Sequence, residues 1–412
     1  MPAETVLSPR ALLRRAASSD VLALGGRVVA RRTAELLIAD AWCQISFEPP
    51  PGDADLPAEG SWVLARGTWD GSRFRATSLE LSPGAAPRGT GEHARLAWSG
   101  RAHHLVARDT ILRTIRDYFH GEDFVEVETP SLVPCPGLDP HVHSLGGVER
   151  GAERDFLITS PELHLKRLIV GGMPRIFEIA RCFRAEELGR HHEPEFTLVE
   201  WYRAFAPWTE VAADTERLLA RAASATRGST SVAAVVNGKQ RELQLAPPFE
   251  RLTVREAFQR HAGIADAVAL ARDDELRFFE LLVQEVEPAL AAEAHPIFLT
   301  HYPLSQAPLA RPCPEDPTVA ERFELYVAGI ELCNGFGELT DGPEQRRRFE
   351  AERARRARSG EPVYPLDERF LAALDEGMPP SAGNALGLDR LVALLCGHDE
   401  VALVQAFPAR DR

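Results

Sequence analysis

The stretch FRAEELGRHHEPEFTLVEWY, residues 183–202, gathers Arg184, Glu186, Glu187, Arg190, His191, His192, Glu193 and Glu195 and then closes on a run rich in apolar and aromatic residues. Most charged runs are solvated faces. The flanks argue for more here. RIFEIARCF (175–183) reads as a strand, so Arg184 leaves that strand with Glu186 two residues on, a cation suited to phosphate beside an acceptor suited to an amino group. Arginine fits phosphate because its planar fork donates two parallel hydrogen bonds and keeps its charge.

Three further segments carry chemistry-bearing residues. SAGNALGLDRLVALL (381–395) sets Gly383 and Gly387 before Asp389-Arg390 and an apolar helix, so backbone can approach a flat ligand with Arg390 at the helix start. A glycine-rich turn with a surface arginine reads as well. IELCNGFGELTD (330–341) supplies Glu331 and Glu338 in an otherwise apolar strand. Carboxylates buried side by side repel, so the pair implies either a cation between them, Mg²⁺ being the common one with nucleotides, or arginine partners. TSPELHLKRL (159–168) places Ser160 and Glu162 where strand gives way to helix; alone this is an ordinary helix start, with Pro161 at the first position. No P-loop, G-x-G-x-x-G helix start or G-x-S-x-G elbow occurs, so phosphates must be held by side-chain cations and metal.

The elements that must position these residues are mixed. Residues 21–32, 34–48 and 61–82 are β-rich, broken by PPPGDADLPAEG and an Asp70-Gly71 turn, and suit a small OB-like barrel of about five strands. PGAAPRGTGE (83–92) reads as a linker, giving expected domains 1–95 and 96–412. In LVARDTILRTIRDYFH the apolar Leu105, Leu112, Ile115 and Phe119 recur at helical spacing, widened by Ile111 and Tyr118. FVEVETP and FLITS read as strands, and the whole as an α+β domain on an antiparallel sheet. Residues 222–250 read as an insertion with an Asn237-Gly238 hairpin. QRRRFEAERARRARSG (345–360) is helical in propensity, with most of its seven arginines expected on solvent.

A chain of 412 residues, 44% hydrophobic and 26% charged, describes a protein with sizeable cores. Its formal charge of −14 argues against broad nucleic-acid binding, which rests on cations. Six scattered cysteines without a C-x-x-C pair support neither zinc nor disulfides. No apolar run is long enough for a membrane helix and the first residues lack a signal peptide's apolar centre, so a cytoplasmic protein without membrane contact is expected.

Taken in order, these segments resemble the class II aminoacyl-tRNA synthetases. RDTILRTIRDYFHGEDFVEVETP is similar to motif 1, a dimer-interface helix and strand ending at Pro130, FRAEELGRHHEPEFTLVEWY to motif 2, and GNALGLDRLVALL to motif 3. TSPELHLKRL and IELCNGFGELTD narrow the resemblance to the lysyl branch, in which lysyl-tRNA synthetases and the ligases that attach (R)-β-lysine to elongation factor P compete. The catalytic half is closer to the second group. Ala385 and Thr340 stand where lysyl-tRNA synthetases usually have glycine and asparagine, whereas the N-terminal segment stands where they keep an anticodon-binding OB-fold. Among its aromatics, Trp42, Phe47 and Trp62 form no convincing stacking platform.

The resemblance implies a homodimer that uses ATP and Mg²⁺ to activate (R)-β-lysine or lysine for transfer to elongation factor P. Its alternatives are a short synthetase charging tRNA-Lys and a catalytically silent paralogue. It implies catalytic roles for Arg184 at the α-phosphate and Arg390 at the γ-phosphate. It implies an amino-acid pocket of Ser160, Pro161, Glu162, Tyr202, Glu338 and Ala385, and ATP contacts from Ala185, Glu186, His192, Glu193, Glu331, Leu332 and Gly387. Glu331 and Glu338 are the implied Mg²⁺ ligands. Glu193 replaces the asparagine usual in both groups, which bears on the ATP contact at that position.

Overall fold

The computed structural model describes every residue except 1–4, 33–34, 52–56, 83–90, 141, 152, 186 and 237. The chain divides into two compact units, Met1–Val106 and Ala107–Arg412. In the first, strands Ser18–Arg32, Glu35–Ala39, Gln44–Glu48, Trp62–Trp69 and Arg73–Ser82 close on themselves, because the long first strand pairs with both Glu35–Ala39 and Trp62–Trp69. A two-residue strand, Val6–Leu7, adds a sixth. Alternating Val63, Ala65 and Trp69 face inward against Phe47 and Phe74, whose rings stack 6.0 Å apart. Phe47 is therefore core, while Trp42 and Trp62 keep exposed rings beneath Arg10 and Arg27.

The second unit is built on one eight-stranded sheet. Its strands are β1 (Val125–Glu126), β2 (Arg175–Phe183), β3 (Glu195–Ala204), β4 (Glu250–Thr253), β5 (Ile297–Thr300), β6 (Arg322–Val327), β7 (Ile330–Gly337) and β8 (Ser381–Gly387). They lie in the order β4-β5-β6-β7-β8-β3-β2-β1, antiparallel except for the outermost pair at each edge. Five helices matter for the site: α1 (Arg101–Gly121), α2 (Glu162–Val170), α3 (Trp208–Arg227), α4 (Gly342–Ser359) and α5 (Leu388–Cys396).

Period-two alternation on β3 separates two environments. Val199 and Trp201 enter the main core with α1, α3 and α5, whereas Phe196 and Leu198 face the cavity described below. On α1 the buried stripe is Ile111, Ile115, Tyr118 and Phe119; the expected Leu105 and Leu112 are only half-buried. Phe119 stacks on Phe177 at 4.7 Å and meets Trp201 at 5.3 Å. Each such ring, once buried, contributes about 1.5–3 kcal/mol.

Several local readings shift. The FVEVETP strand shortens to two residues, since Thr129 N donates to the Glu178 carboxylate instead of a ladder partner, and FLITS becomes Glu153–Leu157. Residues 222–227 complete α3, which stops at the left-handed Gly228; a hairpin of Ser231–Val236 and Lys239–Gln244 follows. Asn237 lies outside the described residues, and Gly238 takes φ +73°. Only Arg347 and Arg358 of the seven α4 arginines are exposed. Arg348 donates to the carbonyls of Ala307, Pro308 and Ala310, and Arg356 is fully buried, so this helix grips neighbouring loops where solvation was expected.

A buried ion network joins α1, β3 and α3. Arg203 donates to both Asp214 oxygens at 2.6 and 2.7 Å, and Tyr118 donates to Asp214 at 2.6 Å. Removing one partner strands the other charge. The Asp214→Ala variant is expected to lose about 3–5 kcal/mol of unfolding free energy in urea; a loss below about 1 kcal/mol would show that water reaches Arg203.

Candidate active site

Above the sheet lies a cavity of about 420 Å³ whose lining includes Ser160, Glu162, Arg184, His192, Glu331 and Arg390. Arg184 and Arg390 thus meet in one space. The register explains how: Glu200 on β3 pairs with Ala385 on β8, and Ala385 with Asn334 on β7. Asp389, at the start of α5, accepts from Thr197 N at 2.7 Å and from Arg108 at 2.6 Å, which ties the helix carrying Arg390 to β3.

At one end Arg390 is heavily anchored. Its Nη1 donates to Glu331 O at 2.7 Å, its Nε to His191 O at 3.2 Å, and its Nη2 to His192 Nε2 at 2.7 Å. Burial, then the Arg390 charge, push the His192 imidazole down to about 4, so it is neutral near pH 7 and free to accept that bond. Arg322 also lines the cavity; it donates to Glu324 at 2.5 Å, and Tyr326, two residues beyond Glu324 on the same strand, donates to the same carboxylate at 2.8 Å. Burial and the Glu324 charge raise the Glu331 carboxyl, with Arg390 opposing. Glu193, 3% exposed, accepts from Ala409 N at 2.7 Å, so one of its oxygens is committed to the C-terminal segment.

The other end is acidic. Ser160 donates from Oγ to Glu200 at 2.8 Å and accepts from Glu162 N at 3.1 Å, so the helix start at Pro161 aims Glu162 at the cavity. Pro161 itself is the residue before the helix and, like Ala185, is absent from the cavity lining. Tyr202 OH donates to Glu200 at 2.8 Å. Lys166, with no exposed surface, puts Nζ 2.5 Å from Glu162 and 2.6 Å from Glu338. Burial disfavours its charge, but the two carboxylates outweigh that and hold it protonated. Burial raises Glu338 to about 7 despite Lys166, and burial with the Glu162 charge raises Glu200 to about 8. Glu338 Oε1 has no hydrogen-bond partner among the described residues, and a Cβ at Gly383 would run into the Tyr202 ring and lie 2.7 Å from that oxygen, which explains the glycine there.

Arg184, His192, Glu193, Leu332, Gly387, Ser160, Glu162, Ala385, Glu331 and Arg390 come together on the cavity wall. Tyr202 and Glu338 do not; they lie beneath its floor, at 2% and 0% exposure, where Glu338 answers the internal Lys166. Nor do Glu331 and Glu338 face one ion. They stand seven residues apart along an extended strand, a span of about 23 Å at roughly 3.3 Å per residue. Glu324, across the β6–β7 hairpin, is the neighbour of Glu331. No group of three His, Cys, Asp or Glu suited to a metal occurs among the described residues, yet two hard carboxylates suffice for Mg²⁺ that also binds phosphates. Glu186 lies outside the described residues, and Thr340 is not on the cavity wall.

Sequence reading missed Glu200, Lys166, Asp139, Arg322 and Glu324. Glu200 sits two residues before Tyr202 on the same strand face, and Lys166 follows Glu162 by one helical turn, so both were within reach of periodicity. Asp139 lies in an irregular loop that no period marks.

The eight-stranded antiparallel-based sheet with this cavity defines a class II synthetase catalytic domain, preceded by an OB-like barrel. Residues 91–411 match the family model for tRNA synthetases class II (D, K and N). The chain belongs to that family and is an ATP-dependent ligase. A protein of Erwinia tasmaniensis named elongation factor P–(R)-β-lysine ligase is 39% identical over 311 residues, which cover 74% of this chain and 94% of that protein. Proteins of the same name from Edwardsiella ictaluri (39% over 310 residues) and Klebsiella pneumoniae (37% over 329 residues) cover the same shares. No helix among the described residues is long and apolar enough to cross a membrane.

The raised acids make stability pH-dependent. Glu200 titrates near 4.5 when unfolded and near 8 when folded, so between these values the folded protein holds the extra proton and loses stability as pH rises. From about pH 7 to about pH 8.5, above the histidine range, the ligand-free melting temperature is expected to fall, with a flatter slope for Glu200→Gln. Equal slopes for the two proteins would contradict this origin.

Proposed function

We propose that this enzyme condenses (R)-β-lysine, or lysine, with ATP to an aminoacyl-adenylate and passes the acyl group to a lysine side chain of elongation factor P. The supporting observation is the polarity of one cavity, with arginines at one end and a surplus of carboxyl groups at the other. That arrangement fits a polyphosphate beside a doubly cationic amino acid, because a buried ammonium needs a carboxylate partner. The names of the similar proteins point the same way.

In the first step the substrate carboxylate oxygen attacks the α-phosphorus and pyrophosphate leaves. Arg184 meets the charge that builds on the α-phosphate, and Arg390, held by His192 and the Glu331 carbonyl, meets the γ-phosphate. Glu186 accepts from the adenine amino group. Glu324 and Glu331 would hold Mg²⁺, which supplies charge neutralisation on the phosphates when bound. Positioning and preorganised charge drive the step, without a covalent enzyme intermediate. The side-chain amine of the elongation factor P lysine, having lost its proton, then attacks the adenylate carbonyl; the amide bond forms as the acyl C–O bond to AMP breaks and AMP leaves. We place this work in the cytoplasm, in a homodimer joined through the α1–β1 segment.

The barrel with its exposed Trp42 and Trp62 favours one second reading, a lysyl-tRNA synthetase acting on tRNA-Lys. Incubating enzyme, ATP and each lysine isomer with elongation factor P or tRNA-Lys separates them. The expected result is pyrophosphate exchange stimulated more by (R)-β-lysine than by lysine, a mass gain on elongation factor P, and an exchange rate lowered about 100-fold or more in Arg184→Ala. A mass gain on tRNA-Lys alone would establish the second reading.

A further inference from the structure

Asp139 lines the acidic end of the cavity from a loop, and its side chain is half-buried. Among the described residues no hydrogen bond or ion pair engages its carboxylate. The backbone beneath it is nevertheless fixed. The fully buried Arg356 donates from Nη2 to Asp139 O at 2.6 Å and to Val142 O at 2.9 Å, while its Nε holds Glu352 at 2.9 Å. A buried guanidinium must keep its donors satisfied, so the loop is not free to swing Asp139 away.

Four carboxyl groups cluster here: Glu162 and Glu338 contact Lys166, Asp139 lies within its field, and Glu200 stands beside Glu162. Glu200 and Glu338 lie under the floor at 1% and 0% exposure, so Glu162 and Asp139 are the two that open to the cavity here. Glu162 Oε1 is already taken by Lys166 at 2.5 Å. An incoming ammonium therefore finds one carboxylate shared with an internal cation and one, Asp139, that no ion pair engages among the described residues. Ala185, the residue after Arg184, donates from N to His143 O at 2.8 Å, so the loop that carries Asp139 is held against Arg184, which faces the phosphate that the substrate carboxyl joins. An ammonium at Asp139 is thus the one nearer the reacting carboxyl.

We propose that Asp139 is a specificity-determining residue that receives the substrate ammonium adjacent to the reacting carboxyl, the α-ammonium of lysine or the β-ammonium of its isomer. This rests on the reading that the cavity activates a diamino acid. The test compares wild type with Asp139→Asn on (R)-β-lysine, through its KM in ATP–pyrophosphate exchange, and on 6-aminohexanoate, through its inhibition constant in the same assay. The second compound keeps the carboxyl and the distal ammonium but lacks the group in question. Loss of a hydrogen bond to a charged group raises KM for (R)-β-lysine roughly tenfold or more. The constants for 6-aminohexanoate and for ATP stay within about twofold, which a merely structural lesion would not spare. Equal changes on both compounds, or no change on (R)-β-lysine, overturn the assignment to Asp139. Wild type that exchanges pyrophosphate with neither lysine isomer overturns the functional reading itself, and this inference with it.

Discussion

One lysine buried among too many acids is the constraint on which the site depends. Lys166 has no exposed surface and answers Glu162 and Glu338, yet among the described residues no ion pair engages Glu200 or Asp139. A fully ionised set of this kind would repel itself in low dielectric. The protein eases the conflict by holding protons on Glu200, raised to about 8, and in part on Glu338, raised to about 7, each chiefly by burial, while Asp139, raised to about 6, stays largely ionised at neutral pH. Such a pocket favours the entry of positive charge, which is the physical ground for the diamino-acid substrate proposed above.

The fold supplies this arrangement through strand register and a few buried ties. β3 carries Glu200 and Tyr202 on the face opposite Trp201, and β8 lays Ala385 across from Glu200. Asp389 fastens α5 to β3, Arg203 and Asp214 fasten β3 to α3, and Arg356 fastens α4 to the loop bearing Asp139. Each tie sets a charged group at a fixed height over the sheet. Arg390 is held by the Glu331 and His191 carbonyls and by His192, whose neutral ring accepts from Nη2.

Much of this was legible in the residues because strands and glycines leave local marks. RIFEIARCF is β2 in full, and GNALGLDRLVALL divides at Gly387 into β8 and α5 as its small residues and apolar stripe imply. The convergence of Arg184 and Arg390 came from segment order, since nothing local in either segment encodes it. Pairing Glu331 with Glu338 failed for a plain geometric reason: a strand carries residues apart, and the partner of Glu331 came from the preceding strand. The arginines of 345–360 were misread because composition does not reveal that Arg348 and Arg356 donate to loop carbonyls. Asp139 left no mark at all, being placed by a tertiary contact with Arg356.

If the raised acids do wait for a dication, binding must expel their protons. Calorimetric titration of (R)-β-lysine into the enzyme near neutral pH, repeated in buffers of different ionisation heat, counts those protons directly. The account requires net release on binding; no release, or net uptake, would show that the carboxyl groups were already ionised and that the central conflict does not exist.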